Sequence, residues 1–494
     1  MLFLLLLIGA AAVLYFACHS MVGRRKGLPP GPTPLPIIGN LHQLAQADFT
    51  GITAQLGKPY GGMFTLFIPH PSVVITDYGL MKEALVKKAD AFSGRVDNFT
   101  TRHFFRGHYG LANLTGEMFK SQRPFVLHAL RDLGFGKAAM EERIKEQGAN
   151  IQDSFEKVDA DTPTDPTDVI RFAVLNVVNA LVFGHTYQPG NRKVLDIFQR
   201  MEDLFSAFGD PTLLLVNPYP FLCHFPPIRG NFAKAVASGQ RFMNFVQEEI
   251  QRRMEEIDSG GEECAGDFVS AYLKEMAERK NQPEFFNEWQ LTCACADLWF
   301  AGLETAVTTL RWSILYMLHH PDVQEKASNE IQEKVGTDRI VSMADRAKLP
   351  YTCAVINEIQ RCANLVPFNV EHCTTKPVTI RGYRLPAGTA VLPQIGNVLW
   401  DERLFPNPQN FDPTRHIDPE DGSLLKSEGV IPFSLGKRSC LGESLARMEL
   451  FILFTSMLQK FKFEPIDMEK PPTTEPKIGI VRSCKNYECC IRRR

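Results

Sequence analysis

Hydrophobic and polar positions divide the chain into three stretches of different character. Residues 2–23, "LFLLLLIGAAAVLYFACHSMVG", contain no Lys, Arg, Asp or Glu. As a helix rising about 1.5 Å per residue this run reaches about 33 Å, enough to cross a hydrocarbon core. Pro29, Pro30, Pro32, Pro34 and Pro36 then forbid helix and favour a stiff, extended spacer. Further on, apolar positions recur at helical spacing over 139–158, 233–257, 285–320, 321–335, 350–364 and 441–461. Short β-branched runs broken by Gly and Pro predict strands within 60–78 and 374–394. The polar stretch "EEIDSGGEECAG", 255–266, reads as a loop. The pattern predicts a membrane anchor over 1–23, a basic and proline-rich hinge over 24–40, and a body over 41–494. That body is mainly α with a minor β part.

Charge sets the orientation. Arg24, Arg25 and Lys26 follow the apolar run and no positive side chain precedes it, so this flank and the body behind it are expected on the cytosolic side. A formal net charge of −2 gives no electrostatic reason to expect nucleic acid as a partner. Twelve cysteines without paired spacing, in a chain this long, read as reduced thiols. "GFGKAA", 134–139, fits the dinucleotide pattern G-x-G-x-x-A but follows the helical run "RPFVLHALRDL" instead of a strand, so it lacks the required setting. Cys293 and Cys295 lie two apart on a predicted helix, point away from each other, and make no metal site. With the body in the cytosol, the sequons at Asn98 and Asn113 stay unmodified.

The stretch richest in chemistry is "FSLGKRSCLGES", 433–444. It places Cys440 just ahead of an apolar helical pattern, where a helix N-terminus favours the thiolate. Gly436 and Gly442 allow close approach of something flat, and Arg438 can pair with a carboxylate on the same ligand. From these residues alone, Cys440 is a buried structural cysteine, a nucleophile or a metal ligand.

Phe433, Gly436, Arg438, Cys440 and Gly442 reproduce F-x-x-G-x-R-x-C-x-G, and on these five positions the loop resembles the haem-binding loop of the cytochrome P-450 family. Three further motifs agree. "NEIQR" places Glu358 and Arg361 on one helix face, and "NFDPTRHID" supplies Arg415; the resemblance implies a buried structural network on the haem side. "FAGLETAV" puts Ala301 and Thr305 on one helix face. That pattern also suits plain helix packing, whereas in the family Glu304 and Thr305 would relay protons to dioxygen. Ala306 stands where a second hydroxyl is usual. Arg95, Arg123, His372 and Arg438 would bind the haem propionates, with Phe119 where the family carries Trp and Glu371 where it carries Pro.

The similarity runs from the proline hinge to the C-terminus, through "HPDVQEK" and "LPYTCAVINEIQR", and is nearest to microsomal members that oxidise xenobiotics and lipids. It implies the cytochrome P-450 fold behind a single N-terminal transmembrane helix in the endoplasmic reticulum membrane. The cofactor would be haem b with Cys440 as axial iron ligand. The activity would be insertion of one oxygen atom from O2 into an apolar small molecule. With no flavin domain visible, electrons would come from a separate NADPH-dependent reductase, docking on Lys120, Arg123, Arg131 and Lys437. The substrate pocket would be lined by 100–116, 205–208, 298–305, 366–370 and 478–481, with Phe104, Phe105, Phe205, Phe208 and Phe368 making it aromatic. The proline-rich apolar segment 211–227 would dip into membrane lipid. A haem-thiolate isomerase or peroxygenase, and a non-catalytic haem sensor, are the competing readings; Glu304 and Thr305 argue against the first, and Thr305 would be idle in the second.

Overall fold

The computed structural model describes residues 27–494 except 37, 45–48, 69, 135–137, 211, 260–265, 478 and 480. The expected anchor 1–23 and its basic flank lie outside the described residues. Among the described residues, no helix is long and apolar enough to cross a membrane.

A central helix of 32 residues, Glu288–His319, organises the body. Asn287 starts it: the side chain accepts a hydrogen bond from the Gln290 amide and satisfies one of the four donors a helix N-terminus leaves free. Around it pack the helices Thr167–Phe183, Ile228–Asp258, Pro350–Ala363 and Glu443–Lys460, with Ala138–Phe155 against the last of these. Helix Thr167–Phe183 is buried along nearly its whole length. It therefore shows no amphipathic period in the sequence. The six helices expected from periodicity are all present, with ends shifted by a few residues. The loop expected over 255–266 begins later than the polar residues suggest, because helix Ile228–Asp258 runs on through Glu255 and Glu256. Those carboxylates lie one turn beyond Gln251 and Arg252, which donate to them.

The β part is small and decisive for the site. Met63–Ile68 and His70–Ile75 form an antiparallel hairpin; Ala390–Pro393 joins in parallel and His372–Cys373 closes the sheet. The Gly94 amide donates to the Cys373 carbonyl at 3.0 Å and Gly94 accepts in return at 2.9 Å. This bridge sets Arg95 beside His372, although 277 positions separate them in sequence. The expected strand regions 60–78 and 374–394 hold the hairpins over 63–75 and 378–385 and the strand Ala390–Pro393, while His372 lies on a short strand just ahead of the second region.

Candidate active site

Cys440 lies two residues past the 3-10 turn Gly436–Arg438 and three before helix Glu443–Lys460. Its amide donates to the Phe433 carbonyl at 2.9 Å, which folds the loop back on itself. Gly436 makes that fold feasible. Its φ is +75°, and a Cβ there would sit 1.7 Å from the Leu85 carbonyl oxygen, so no side chain fits. The Cys440 thiol is uncovered, yet it lies deep enough that burial pushes its pKa up; the Gly442 amide and the Arg123 cation pull the other way. The lowering expected from the helix start is present but does not win.

On the central helix, Ala301 is exposed while its neighbours Trp299 and Leu303 are buried. An uncovered alanine in mid-helix and an uncovered thiol deep in the fold both face interior space, as a flat inserted group requires. Thr305 donates its hydroxyl to the Ala301 carbonyl at 2.6 Å. Glu304 turns elsewhere: its carboxylate accepts from Thr308 at 3.1 Å and feels Arg171 and Arg311. Burial raises its pKa, against those three influences.

Four basic side chains converge at a second pole of the site. Arg438 donates from Nε to the Ser93 carbonyl at 2.8 Å and from Nη2 to the Leu114 carbonyl. Arg95 donates to the carbonyls of Ala112 at 2.9 Å and Glu371 at 3.0 Å. Arg123 donates to the Ser439 carbonyl at 2.6 Å, directly ahead of the thiol. His372 Nδ1 lies 2.7 Å from the Phe92 carbonyl, while its buried Nε2 has no partner among the described residues. The Phe119 ring lies under Arg438, 3.6 Å from the guanidinium, so the expected tryptophan position still packs a cation but offers no N–H.

Electrostatics show what this pole lacks. Burial, followed by Arg95 and Arg123, presses Arg438 down to about 8. Burial and Arg123 press Arg95 down to about 10, with Glu371 opposing. Burial, then Arg95, drives His372 down to about 3. Among the described residues none of the three arginines forms an ion pair with a carboxylate. Cations stacked this way need an anion brought from outside. A planar group with two carboxylates at one edge and a metal wanting one thiolate fits this donor set. Haem is such a group.

The charged network behind the site is larger than the motif implied. Glu358 and Arg361 are completely buried. Glu358 accepts from Arg361 at 2.7 and 2.8 Å, from Arg415 at 3.0 Å and from the Asp412 amide at 2.9 Å. It also meets His416 Nε2 at 2.8 Å. His416 escaped sequence reasoning, since adjacency to Arg415 carries no sign of burial. Asp297 escaped too. One turn before Ala301, it accepts from the Leu111 and Ala112 amides at 2.5 and 2.9 Å and so fixes the loop whose carbonyls hold Arg95 and Arg438.

Other expected residues are placed as follows. Phe205 stacks on Phe300 with centroids 4.7 Å apart, and Phe104 meets Phe208 edge-on at 5.3 Å. Phe105 is buried, its carbonyl accepting from Trp289. In the segment 478–481, positions 478 and 480 lie outside the described residues. Cys293 and Cys295 are buried, and no metal-binding cluster occurs among the described residues. Arg123 points inward, which removes it from any docking face.

The family model described as Cytochrome P450 matches residues 29–491. The chain is 35% identical over 493 residues to cytochrome P450 2C8 of Homo sapiens, covering 99% of both chains. It is 37% identical over 484 residues to cytochrome P450 2H1 of Gallus gallus, covering 98% of this chain and 96% of that one. It is 34% identical over 499 residues to probable cytochrome P450 CYP36A1 of Caenorhabditis elegans, covering 98% of this chain and all of that one. Site geometry and likeness over nearly the whole length agree: the chain belongs to the cytochrome P450 family and is a haem-thiolate monooxygenase that carries haem b.

Proposed function

We propose that Cys440 would supply the thiolate that holds the haem iron and that Arg95, Arg123, His372 and Arg438 would hold the haem carboxylates. The observation that carries this reading is the set of buried cations and the orphaned His372 Nε2, set around the uncovered thiol. When bound, haem with a thiolate ligand supplies the chemistry that splits O2 and inserts one oxygen atom into substrate. The chain does the rest. Phe433 lies under Arg447, its ring centroid 4.9 Å from that guanidinium, and gives the thiol loop a packed wall. Gly442 leaves the thiol side open and donates its amide to the sulfur. Ala301, uncovered on the central helix, would leave room for the haem. Thr305 presents a hydroxyl there, and Glu304, the residue before it, has its pKa raised by burial.

The substrate is an apolar small molecule held by the aromatic set Phe104, Phe205, Phe208 and Phe300, which excludes water from the distal face. The enzyme works as one catalytic body, residues 41–494, held by a transmembrane helix 1–23 through the hinge 24–40. It faces the cytosol from the endoplasmic reticulum membrane. Phe221 and Phe225, 59% and 58% exposed, add a second lipid contact. Electrons arrive from an NADPH-dependent reductase that docks on the exposed Lys120, Arg131 and Lys437.

Isotope-labelled dioxygen tests the reaction. Membranes carrying the chain and the reductase should place one labelled oxygen atom in product and the other in water. Product oxygen drawn from labelled water would refute it. Reversing charge at Lys120 and Lys437 should slow reductase-driven turnover and spare peroxide-driven turnover; equal loss in both would refute the docking face.

A further inference from the structure

The thiol loop meets the segment 366–371 through a pair of polar side chains. Asn369 Nδ2 donates to the Ser434 hydroxyl at 2.8 Å, across 65 positions of sequence. Both residues hold left-handed backbone, with φ +57° at Asn369 and +63° at Ser434. Asparagine adopts that region with some ease; serine does so only where its surroundings hold it. The Ser434 amide donates to the Ile431 carbonyl at 3.0 Å. The Asn369 amide donates to the Val366 carbonyl at 3.1 Å, and its Oδ1 accepts from the Val370 amide at 2.8 Å. With Oδ1 spent on that N–H, the side chain turns its NH2 group to Ser434, so the bond has one direction.

Each partner sits in a fixed frame. In the segment 366–371, the Pro367 carbonyl accepts from the Gly396 amide at 3.0 Å. Arg95 donates to the carbonyls of Val370 at 3.3 Å and Glu371 at 3.0 Å. On the other side, Ser434 follows Phe433, whose carbonyl takes the Cys440 amide. Gly436, two residues on, packs directly against the Leu85 carbonyl. The Asn369–Ser434 bond therefore joins a segment held by Arg95 to the loop that carries the thiol. A chance surface pair would show neither the left-handed backbone at both ends nor the second bond to Val370.

We propose that Asn369 is a positioning residue for Cys440: through Ser434 it fixes the thiol loop in the shape that presents the sulfur to the haem iron. This rests on the reading of Cys440 as the iron ligand. Without the bond, Ser434 loses the contact that offsets its strained backbone, the loop relaxes, and the sulfur is held less firmly. The link joins two loops, so the packing of the central helix does not depend on it.

The full-length, haem-loaded protein in phosphatidylcholine nanodiscs is reduced under carbon monoxide in mild urea, and the lifetime of the red-shifted Soret band is followed beside tryptophan fluorescence. Asn369→Gly accepts the left-handed φ but lacks the side chain; it should shorten that lifetime about 5-fold, as the loss of one hydrogen bond implies. Ser434→Ala should do the same, and the double variant should lose no more than either single variant. Asn369→Asp can accept from both the Ser434 hydroxyl and the Val370 amide, and should stay within about 2-fold of wild type. The urea midpoint of the tryptophan signal should be the same in every variant. An unchanged lifetime in Asn369→Gly, additive losses in the double variant, or as large a loss in Asn369→Asp as in Asn369→Gly would overturn the proposal. So would a tryptophan midpoint that falls in step with the lifetime, which would make the bond an ordinary contribution to folding. A wild-type protein without the red-shifted band would instead overturn Cys440 as the iron ligand, and this inference with it.

Discussion

Replacing Glu358 with Gln tests whether the buried charge network is a working part of the fold. Ionised Glu358 satisfies Arg361, Arg415, His416 and the Asp412 amide at once. Burial alone would raise its pKa; the Arg361 and His416 hydrogen bonds outweigh that and hold it at about 2, against an ordinary 4.5. At about 1.36 kcal/mol per pH unit, that difference corresponds to about 3 kcal/mol of stability. Gln also leaves the Arg361 guanidinium buried without a counter-charge, which places the loss at about 3–5 kcal/mol. With a urea slope of about 3 kcal/mol per molar or more, the unfolding midpoint should fall by roughly 1 M. Because the folded pKa is depressed, this stabilisation is complete above pH 4.5 and disappears as pH falls through about 2. The gap between wild type and Glu358→Gln should therefore close with acidification. Urea unfolding of the holoenzyme, followed by tryptophan fluorescence and Soret absorbance at several pH values, measures both effects. A midpoint within about 0.2 M of wild type at pH 7, or a gap independent of pH, would refute the reasoning.

Three other outcomes are expected. Glu449 is wholly buried with no partner for Oε1 among the described residues, and burial lifts its pKa to about 8. A raised folded pKa means that stability is lost as pH climbs from 4.5 through 8, so Glu449→Gln should be nearly neutral at pH 5 and more stable than wild type at pH 8 in paired urea titrations. Arg438→Leu should speed haem transfer to apomyoglobin by about 10-fold without weakening the haem-free protein, since it also removes repulsion from Arg95 and Arg123; an unchanged transfer rate would contradict that. Thr305→Val should keep NADPH consumption while product falls and hydrogen peroxide rises, measured as product formed per NADPH.

The residues legible in the sequence were those whose spacing has a local meaning. The thiol loop, the Glu358–Arg361 pair and the Ala301–Thr305 face are short-range patterns, and amphipathic helices such as Pro350–Ala363 announced themselves by period. What stayed hidden depends on burial and on contacts far apart in sequence. Helix Thr167–Phe183 is apolar nearly all round and offers no contrast to read. His416 looks like a surface residue until it meets Glu358, 58 positions earlier. Asp297 gains its role only because the loop at Leu111 folds over it. In the sequence Arg123 suits either the haem carboxylates or a docking face; only the fold takes its guanidinium to the Ser439 carbonyl, 316 positions away.

The central claim is that Cys440 holds the haem iron. Its most direct test is the carbon monoxide difference spectrum of the reduced, membrane-bound protein, recorded beside Cys440→Ser. A red-shifted Soret band present in wild type and absent from the variant is the predicted result. A band of the same position and intensity in both would contradict the account, because another residue would then ligate the iron.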